Sequence, residues 1–236
     1  SNIFYHVYNN EIVRAIPKEN TEINQTWISD RDRFGYQGVY SDDRCLTPQE
    51  KFNGQLREIE KQSIIKSLNQ QINNNVKKYS SESVGCFISP QSTSEEMYLF
   101  QRLSRKLGIN NIDHRTNEQD FAYQDSFPVM PSLGTNIENL HEFDNIILIG
   151  TNIKTEFPIL TVRFNDAVKK DTDIYSYHFI NMPEDFDVKK NFVMNNTDLL
   201  SVFQDHSLES CRGRKNLLII GPNITYFHNQ SLFLQA

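Results

Sequence analysis

Asn145-Ile146-Ile147-Leu148-Ile149-Gly150-Thr151-Asn152 is the stretch that decides the fold. Four consecutive apolar residues without polar alternation suit a strand covered on both faces, and the glycine with small polar residues after them suits the turn that leaves it. Runs of similar character stand at 84–89, 109–113, 174–180 and 217–220. Helical periodicity fills the intervals. Ile64, Ile65, Leu68, Ile72 and Val76 predict an amphipathic helix over 60–79, whose Asn- and Gln-rich face is a solvated one. Ser92 with Glu95 predicts a capping box, followed by a buried stripe of Met97, Phe100, Leu103, Ser104 and Leu107 and a terminating Gly108. Further helices are predicted over 136–143, 156–169 (with Pro158 in its first turn) and 197–210.

Residues 1–58 read differently. Ile3, Tyr5 and Val7 alternate, Asn9-Asn10 turns the chain, and residues 12–16 alternate again, which predicts a hairpin. Asn53-Gly54 predicts a second one. Between them, 27–44 carries many charges and little periodicity and reads as an ordered loop. The expected fold class is therefore α/β: a parallel, Rossmann-like sheet with helices on both faces over 59–236, preceded by a small antiparallel β portion over 1–58. The stretch 115–135 reads as a long irregular loop. The lack of an initiator methionine, and an end at Ala236 inside a helical pattern, predict a truncated piece of a longer protein.

Twenty-four basic against thirty acidic residues, net charge −6, argue against a nucleic-acid partner. The longest purely apolar runs are four residues, far short of the roughly 20 of a membrane helix. Cys45, Cys86 and Cys211 form no C-x-x-C pair, so they predict a reducing compartment and no thiolate metal site.

Chemistry is sparse. An α/β sheet places ligands outside the carboxyl ends of its strands, here at 89–93, 150–152 and 221–223. None carries a dinucleotide fingerprint or a P-loop. Ser92 and Thr93 offer hydroxyls at a helix start, where capping is their commoner use. No two of the six histidines stand at i, i+3 or i+4. His114, between Asp113 and Arg115, forms the best local cluster, yet nothing nucleophilic adjoins it. Arg31, Arg33 and Arg44 against Asp30, Asp32, Asp42 and Asp43 read as a hydrogen-bonded scaffold, with an inter-domain contact as the sharper option. No catalytic or metal-binding residue emerges.

Particular words go further. Trp27-Ile28-Ser29-Asp30-Arg31-Asp32-Arg33-Phe34, then Ser41-Asp42-Asp43-Arg44 and Leu46-Thr47-Pro48, form one block. Ser89-Pro90-Gln91-Ser92-Thr93-Ser94-Glu95-Glu96-Met97-Tyr98-Leu99 opens a second, which runs on to Asn111-Ile112-Asp113-His114-Arg115. Asp144 to Asn152, with Pro158, makes a third and more generic one. Together they resemble the molybdopterin-oxidoreductase superfamily, and within it the large iron–sulfur subunit of bacterial respiratory NADH:quinone oxidoreductase, complex I.

The resemblance implies a slice of the region shaped like a molybdenum enzyme but lacking the molybdenum cofactor. Its parent would carry 2Fe-2S and 4Fe-4S clusters and pass electrons from NADH to quinone, coupled to ion translocation. Ser29 stands where cluster-binding relatives have Cys, and no Cys precedes Cys45. The Cys or selenocysteine of working molybdenum enzymes is missing after the Asn111–Asp113 element, and so is the Asp-Pro-Arg expected after residue 180. Ser92, Thr93, Gly150, Thr151 and Asn152 are then vestigial cofactor-binding positions. The implied role is a cofactor-free scaffold with no activity alone. It would pack against upstream iron–sulfur domains of the same chain and other peripheral-arm subunits, on the cytoplasmic side of the bacterial inner membrane. Two other readings stay open: a molybdopterin-dependent oxidoreductase fragment still binding a pterin nucleotide, and a stand-alone small-molecule binding module.

Overall fold

Asn9 and Asn10 both take left-handed backbone angles, φ 48° and 66°, and so turn β1 (Ile3–Tyr8) tightly into β2 (Glu11–Pro17), antiparallel to it. The computed structural model describes residues 1–234 except 116, 117, 119, 123, 124, 126–131, 195–198 and 227–229. Two compact units are present: Ser1–Tyr40 with Asn117–Ala236, and Ser41–Thr116. They cut the chain differently from the composition change at residue 58. The first forty residues belong with the parallel sheet, and a side chain of the Leu160–Val168 helix bonds directly to their backbone. The Arg163 guanidinium donates to the carbonyls of Thr21 and Ile23. Buried Asn24 ties the same loop together, donating to the carbonyls of Lys18 and Trp27 and accepting from the Asn2 amide at 3.1 Å.

The expected loop over 27–44 contains α1 (Asp30–Phe34) and a 3-10 segment (Gly35–Tyr40). Ser29 is the reason: its hydroxyl accepts the Asp32 amide at 3.1 Å, and acidic residues fill the first turn. The 3-10 segment is anchored through Tyr36, whose hydroxyl donates to the Val13 carbonyl.

In the second unit, Asn53 and Gly54 (φ 48° and 82°) turn β3 (Gln49–Phe52) into β4 (Gln55–Glu58). The helix predicted over 60–79 is α2 (Lys61–Tyr79), though none of its side chains is fully buried. β5 (Gly85–Phe87), α3 (Ser94–Lys106) and β6 (Asn111–Asp113) follow, with β5 and β6 parallel. The capping box lies one residue later than predicted. Thr93 accepts from the Glu96 amide, and Glu96 accepts from the Thr93 amide. The Ser92 amide is already bonded to the Ser89 carbonyl. Met97, Phe100, Ser104 and Leu107 face inward as predicted, but Leu103 is exposed.

The remaining elements are β7 (Asn145–Ile149), α4 (Ile153–Glu156), α5 (Leu160–Val168), β8 (Asp173–His178), β9 (Lys190–Val193), β10 (Asn216–Ile220) and α6 (Gln230–Phe233). Their four strands form one parallel sheet in the order β10-β7-β8-β9. Alternate side chains feed two cores. Ile146, Leu148, Ile174 and Leu217 pack with Phe164 and Ala167 of α5, and with Leu140 of the 3-10 segment Ile137–Glu142. Ile149, Tyr175 and Tyr177 pack oppositely, with Val202, Cys211, Ile224 and Phe233. The helix predicted over 156–169 begins later, as α5, and Glu156 is instead the last residue of α4. Pro158 disfavours helical backbone at the residue before it, Phe157 departs to φ −134°, and α5 begins afterwards. The helix predicted over 197–210 is instead two 3-10 segments, Leu199–Gln204 and His206–Cys211, where described. Most of the 115–135 stretch lies outside the described residues.

Candidate functional site

β7 has β8 and β9 on one side and β10 on the other, so the connection direction reverses between β7 and β10. In sheets of this kind, that is where a ligand enters, at the carboxyl ends of the strands. Gly150-Thr151-Asn152 leaves β7 there and Gly221-Pro222-Asn223 leaves β10.

The two turns close on each other. The Gly221 amide donates to the Ile149 carbonyl at 2.8 Å, and the Asn223 amide to the Gly150 carbonyl at 3.1 Å. Gly150 needs its freedom at φ 64°, and a β-carbon on it would meet Ile224 at 2.8 Å. A β-carbon on Gly221 would lie 2.2 Å from Thr151 Cβ. Thr151 donates to Glu156 Oε2 at 2.6 Å and Asn223 Nδ2 to Glu156 Oε1 at 2.9 Å, which engages both carboxylate oxygens. Asn152 Oδ1 accepts from the Thr155 amide and hydroxyl, capping α4. Thr151 and Asn152 are both buried. These three predicted positions are spent on holding the edge shut.

A strap between β8 and β9 covers the neighbouring part of the edge. Phe186 stacks on Phe164, with ring centroids 4.8 Å apart, and Asp185 pairs with Lys154 at 2.7 Å. Glu184, its side chain wholly buried, accepts from the amides of Ile153 and Lys154 at 3.4 Å each. His178 Nε2 lies 3.5 Å from Glu184 and 2.6 Å from the buried Ser176 hydroxyl. Serine and glutamate thus address the same ring nitrogen. A nucleophile relay needs them on opposite nitrogens, so this is a buried polar clamp and not a triad.

Sequence reasoning missed Glu184 and Ser176 because their meeting is tertiary. The one legible signal was His178 two residues after Ser176, on the same face of a strand.

The other predicted positions sit elsewhere. Ser92 and Thr93 belong to the second unit, where Thr93 is consumed by the capping box. His114 gives its backbone amide to Asp113. Arg115 grips that carboxylate through Nε and Nη2 and, with the two backbone amides, holds it well below the usual range, at about 2, despite partial burial. Arg31 reaches the Glu156 carbonyl at 3.4 Å, a contact from the mixed-charge segment to α4. A cleft of about 300 Å³ lies beside that contact, lined by Ser29, Arg31, Asp32, Glu156 and Phe157 among others.

Two cofactor classes can be tested against these residues. A 4Fe-4S cluster needs four thiolates. The first 44 residues contain no Cys, and Ser29 is a buried helix cap. Where the two turns cross, Gly221 is packed against Thr151, and Glu156 accepts from Thr151 and Asn223. Neither group fits. Among the described residues, no three His, Cys, Asp or Glu side chains gather to hold a metal ion, and no helix is long and apolar enough to cross a membrane.

Known proteins supply the context. The 4Fe-4S domain of the NADH-ubiquinone oxidoreductase NDSU1/NuoG-like type matches residues 1–37. The G-type subunit of the NADH-quinone oxidoreductase of Rickettsia felis is 28% identical over 169 residues, covering 72% of this chain and 24% of the relative. The NADH-ubiquinone oxidoreductase 75 kDa subunit of Reclinomonas americana is 27% identical over 243 residues, 95% of this chain and 34% of the relative. The chain therefore spans between a quarter and a third of the length of these relatives. Acetylene hydratase from Pelobacter acetylenicus shares the fold, with a TM-score of 0.53 and 13% identity over 74% of this chain and 25% of that one. The molybdopterin oxidoreductase family model matches residues 44–192, more than half of the chain, and the chain belongs to that family.

Proposed function

We propose that this chain is a cofactor-free scaffold segment of the large iron–sulfur subunit of NADH:quinone oxidoreductase. The observation that carries the reading is the closed carboxyl edge. At the point where a Rossmann-like sheet would take its ligand, Gly221 abuts Thr151, and Glu156 and Glu184 accept from the chain's own donors. The Rickettsia and Reclinomonas relatives, both subunits of NADH-oxidising quinone reductases by name, supply the parent. That parent would carry 2Fe-2S and 4Fe-4S clusters and move electrons from NADH to quinone, with ion translocation. This segment would hold no cluster and have no activity alone. Its partners would be neighbouring iron–sulfur domains and peripheral-arm subunits, on the cytoplasmic face of the membrane. The sequence division at 58/59 would then separate a β portion of cluster-domain ancestry from a molybdopterin-type α/β portion.

The family match itself favours a second reading, a fragment that keeps a pterin nucleotide, with the Gly150-Thr151-Asn152 turn as its candidate position in the first unit. Elemental analysis and pterin fluorescence on the purified chain decide between them. The scaffold reading expects neither molybdenum, tungsten nor pterin above background. Stoichiometric amounts of any of them would overturn it.

A further inference from the structure

Residues 1–40 share a compact unit with the parallel sheet but none of its core. Among the described residues, neither apolar core cluster contains a side chain from this segment, and Ala15 is its one fully buried apolar residue. The segment is instead held to itself. β1, β2, α1 and the 3-10 segment Gly35–Tyr40 pack chiefly on one another. The Tyr36 hydroxyl donates to the Val13 carbonyl, and the Tyr40 hydroxyl accepts the Ile12 amide. Asn24 ties the loop over 18–27 to Asn2.

The seam with the sheet part is loosely filled. The cleft of about 300 Å³ runs along it, with Ser1, Ile23 and Ser29 on one side and Ile137, Phe157 and Leu160 on the other. A gap between two faces forfeits the dispersion contacts that would bind them. Arg163 of α5 crosses this seam to the Thr21 and Ile23 carbonyls. Its side chain is 9% exposed, its Nε is buried without a partner, and no carboxylate pairs with it among the described residues. A guanidinium keeps its charge wherever it sits, so this one depends on two peptide carbonyls for compensation. When the seam opens, water takes their place, and the contact can form and break reversibly.

We infer that Arg163 is the latch of a separately opening lobe: residues 1–40 come away from the sheet part as one cooperative piece while the sheet stays folded. Units that open below the global unfolding free energy are those with few buried apolar contacts, and this segment has few. Such a lobe changes position without refolding of the sheet, whether or not the chain holds a cofactor.

Hydrogen exchange followed by mass spectrometry on the purified chain, in low urea, tests this. Peptides within 1–27 should share one opening step, at least tenfold more frequent than that of β7 and β8. A single opening common to lobe and sheet overturns the proposal. Arg163→Met keeps the packing of the side-chain stem but removes both bonds, leaving the Thr21 and Ile23 carbonyls without their donor in the closed state. It should speed exchange in the lobe at least tenfold and leave β7 and β8 within about twofold. Unchanged exchange in the lobe, or an equal rise in β7 and β8, overturns it. Arg31→Met removes the exposed contact to the Glu156 carbonyl, 3.4 Å long and at the same seam. It should speed lobe exchange less than about twofold, because so long a hydrogen bond is weak. An effect as large as that of Arg163→Met overturns the assignment of the latch to Arg163.

Discussion

Gly221 stands so close against Thr151 that a β-carbon on the glycine would fall 2.2 Å from the threonine Cβ and 2.7 Å from its Cα. Both obstacles belong to a buried turn and neither is the end of a flexible side chain. Gly221→Ala should therefore force the β7 and β10 turns apart and cost about 2–3 kcal/mol, the scale of core overpacking. Two controls isolate the cause. Gly213 has open space but φ 74°, so its alanine variant should lose only about 1 kcal/mol from backbone strain. Gly38 has neither crowding nor a left-handed φ, and its variant should stay within about 0.5 kcal/mol. Urea unfolding ranks the three.

Asp205 predicts an acid-side loss of stability. Burial alone would raise its pKa, but hydrogen bonds from Lys190, the Ser207 amide and hydroxyl, and Tyr177 outweigh it and hold the carboxyl well below the ordinary 3.8. Lys190 Nζ lies 2.7 Å away, and the Tyr177 hydroxyl 2.9 Å. The folded value is depressed, so the stabilisation is complete above the unfolded-state value and fades as pH falls below it. Asp205→Asn should cost about 2 kcal/mol at pH 7, and the gap to the parent chain should shrink below about pH 4. Burial, with Asp205 nearby, also pushes the Tyr177 hydroxyl well above the usual tyrosine value. Its absorbance should thus stay phenolic as the exposed tyrosines ionise.

How much of this was legible depends on the reach of each signal. Asn9-Asn10 and Asn53-Gly54 turn the chain where their composition says, because a two-residue hairpin turn needs left-handed backbone at both positions. The apolar run at Asn145–Ile149 marked the central strand, since burial on both faces suppresses alternation. β9 stayed hidden: Lys190-Asn191-Phe192-Val193 is a short edge strand whose Lys190 is held in place by Asp205, fifteen residues on. The capping box was misread by one residue because Ser92-Thr93-Ser94-Glu95-Glu96 satisfies the pattern at both offsets. The site's turns were found from strand ends alone, but their closure was not. It arises from Glu156, Glu184 and Asn223 meeting across the fold, and no local spacing announces that.

Ser29 holds the start of α1. Its hydroxyl caps α1 by accepting the Asp32 amide, and cysteine is a poor substitute in that role. Ser29→Cys should cost about 1 kcal/mol and gain no cluster, because three further thiolates would still be missing. Reconstitution with iron and sulfide, read by visible absorbance and iron content, should leave the variant colourless. A stoichiometric cluster would show that ligands come from elsewhere.

Glu184 is the sharper probe of the closed edge. Its carboxylate is removed from water, with two backbone amides at 3.4 Å and His178 at 3.5 Å as its neighbours. Desolvating a carboxylate is costly, so it stays there only if those donors compensate it. Glu184→Ala then leaves the amides of Ile153 and Lys154 without their acceptor in a buried space and should cost about 3 kcal/mol. Glu184→Gln keeps the shape and one carbonyl acceptor and should cost about 1 kcal/mol. Urea unfolding of both variants checks the order. If Glu184→Ala were neutral, the strap would owe its position to Phe186 on Phe164 and Asp185 on Lys154, and the buried carboxylate would not be what closes the edge.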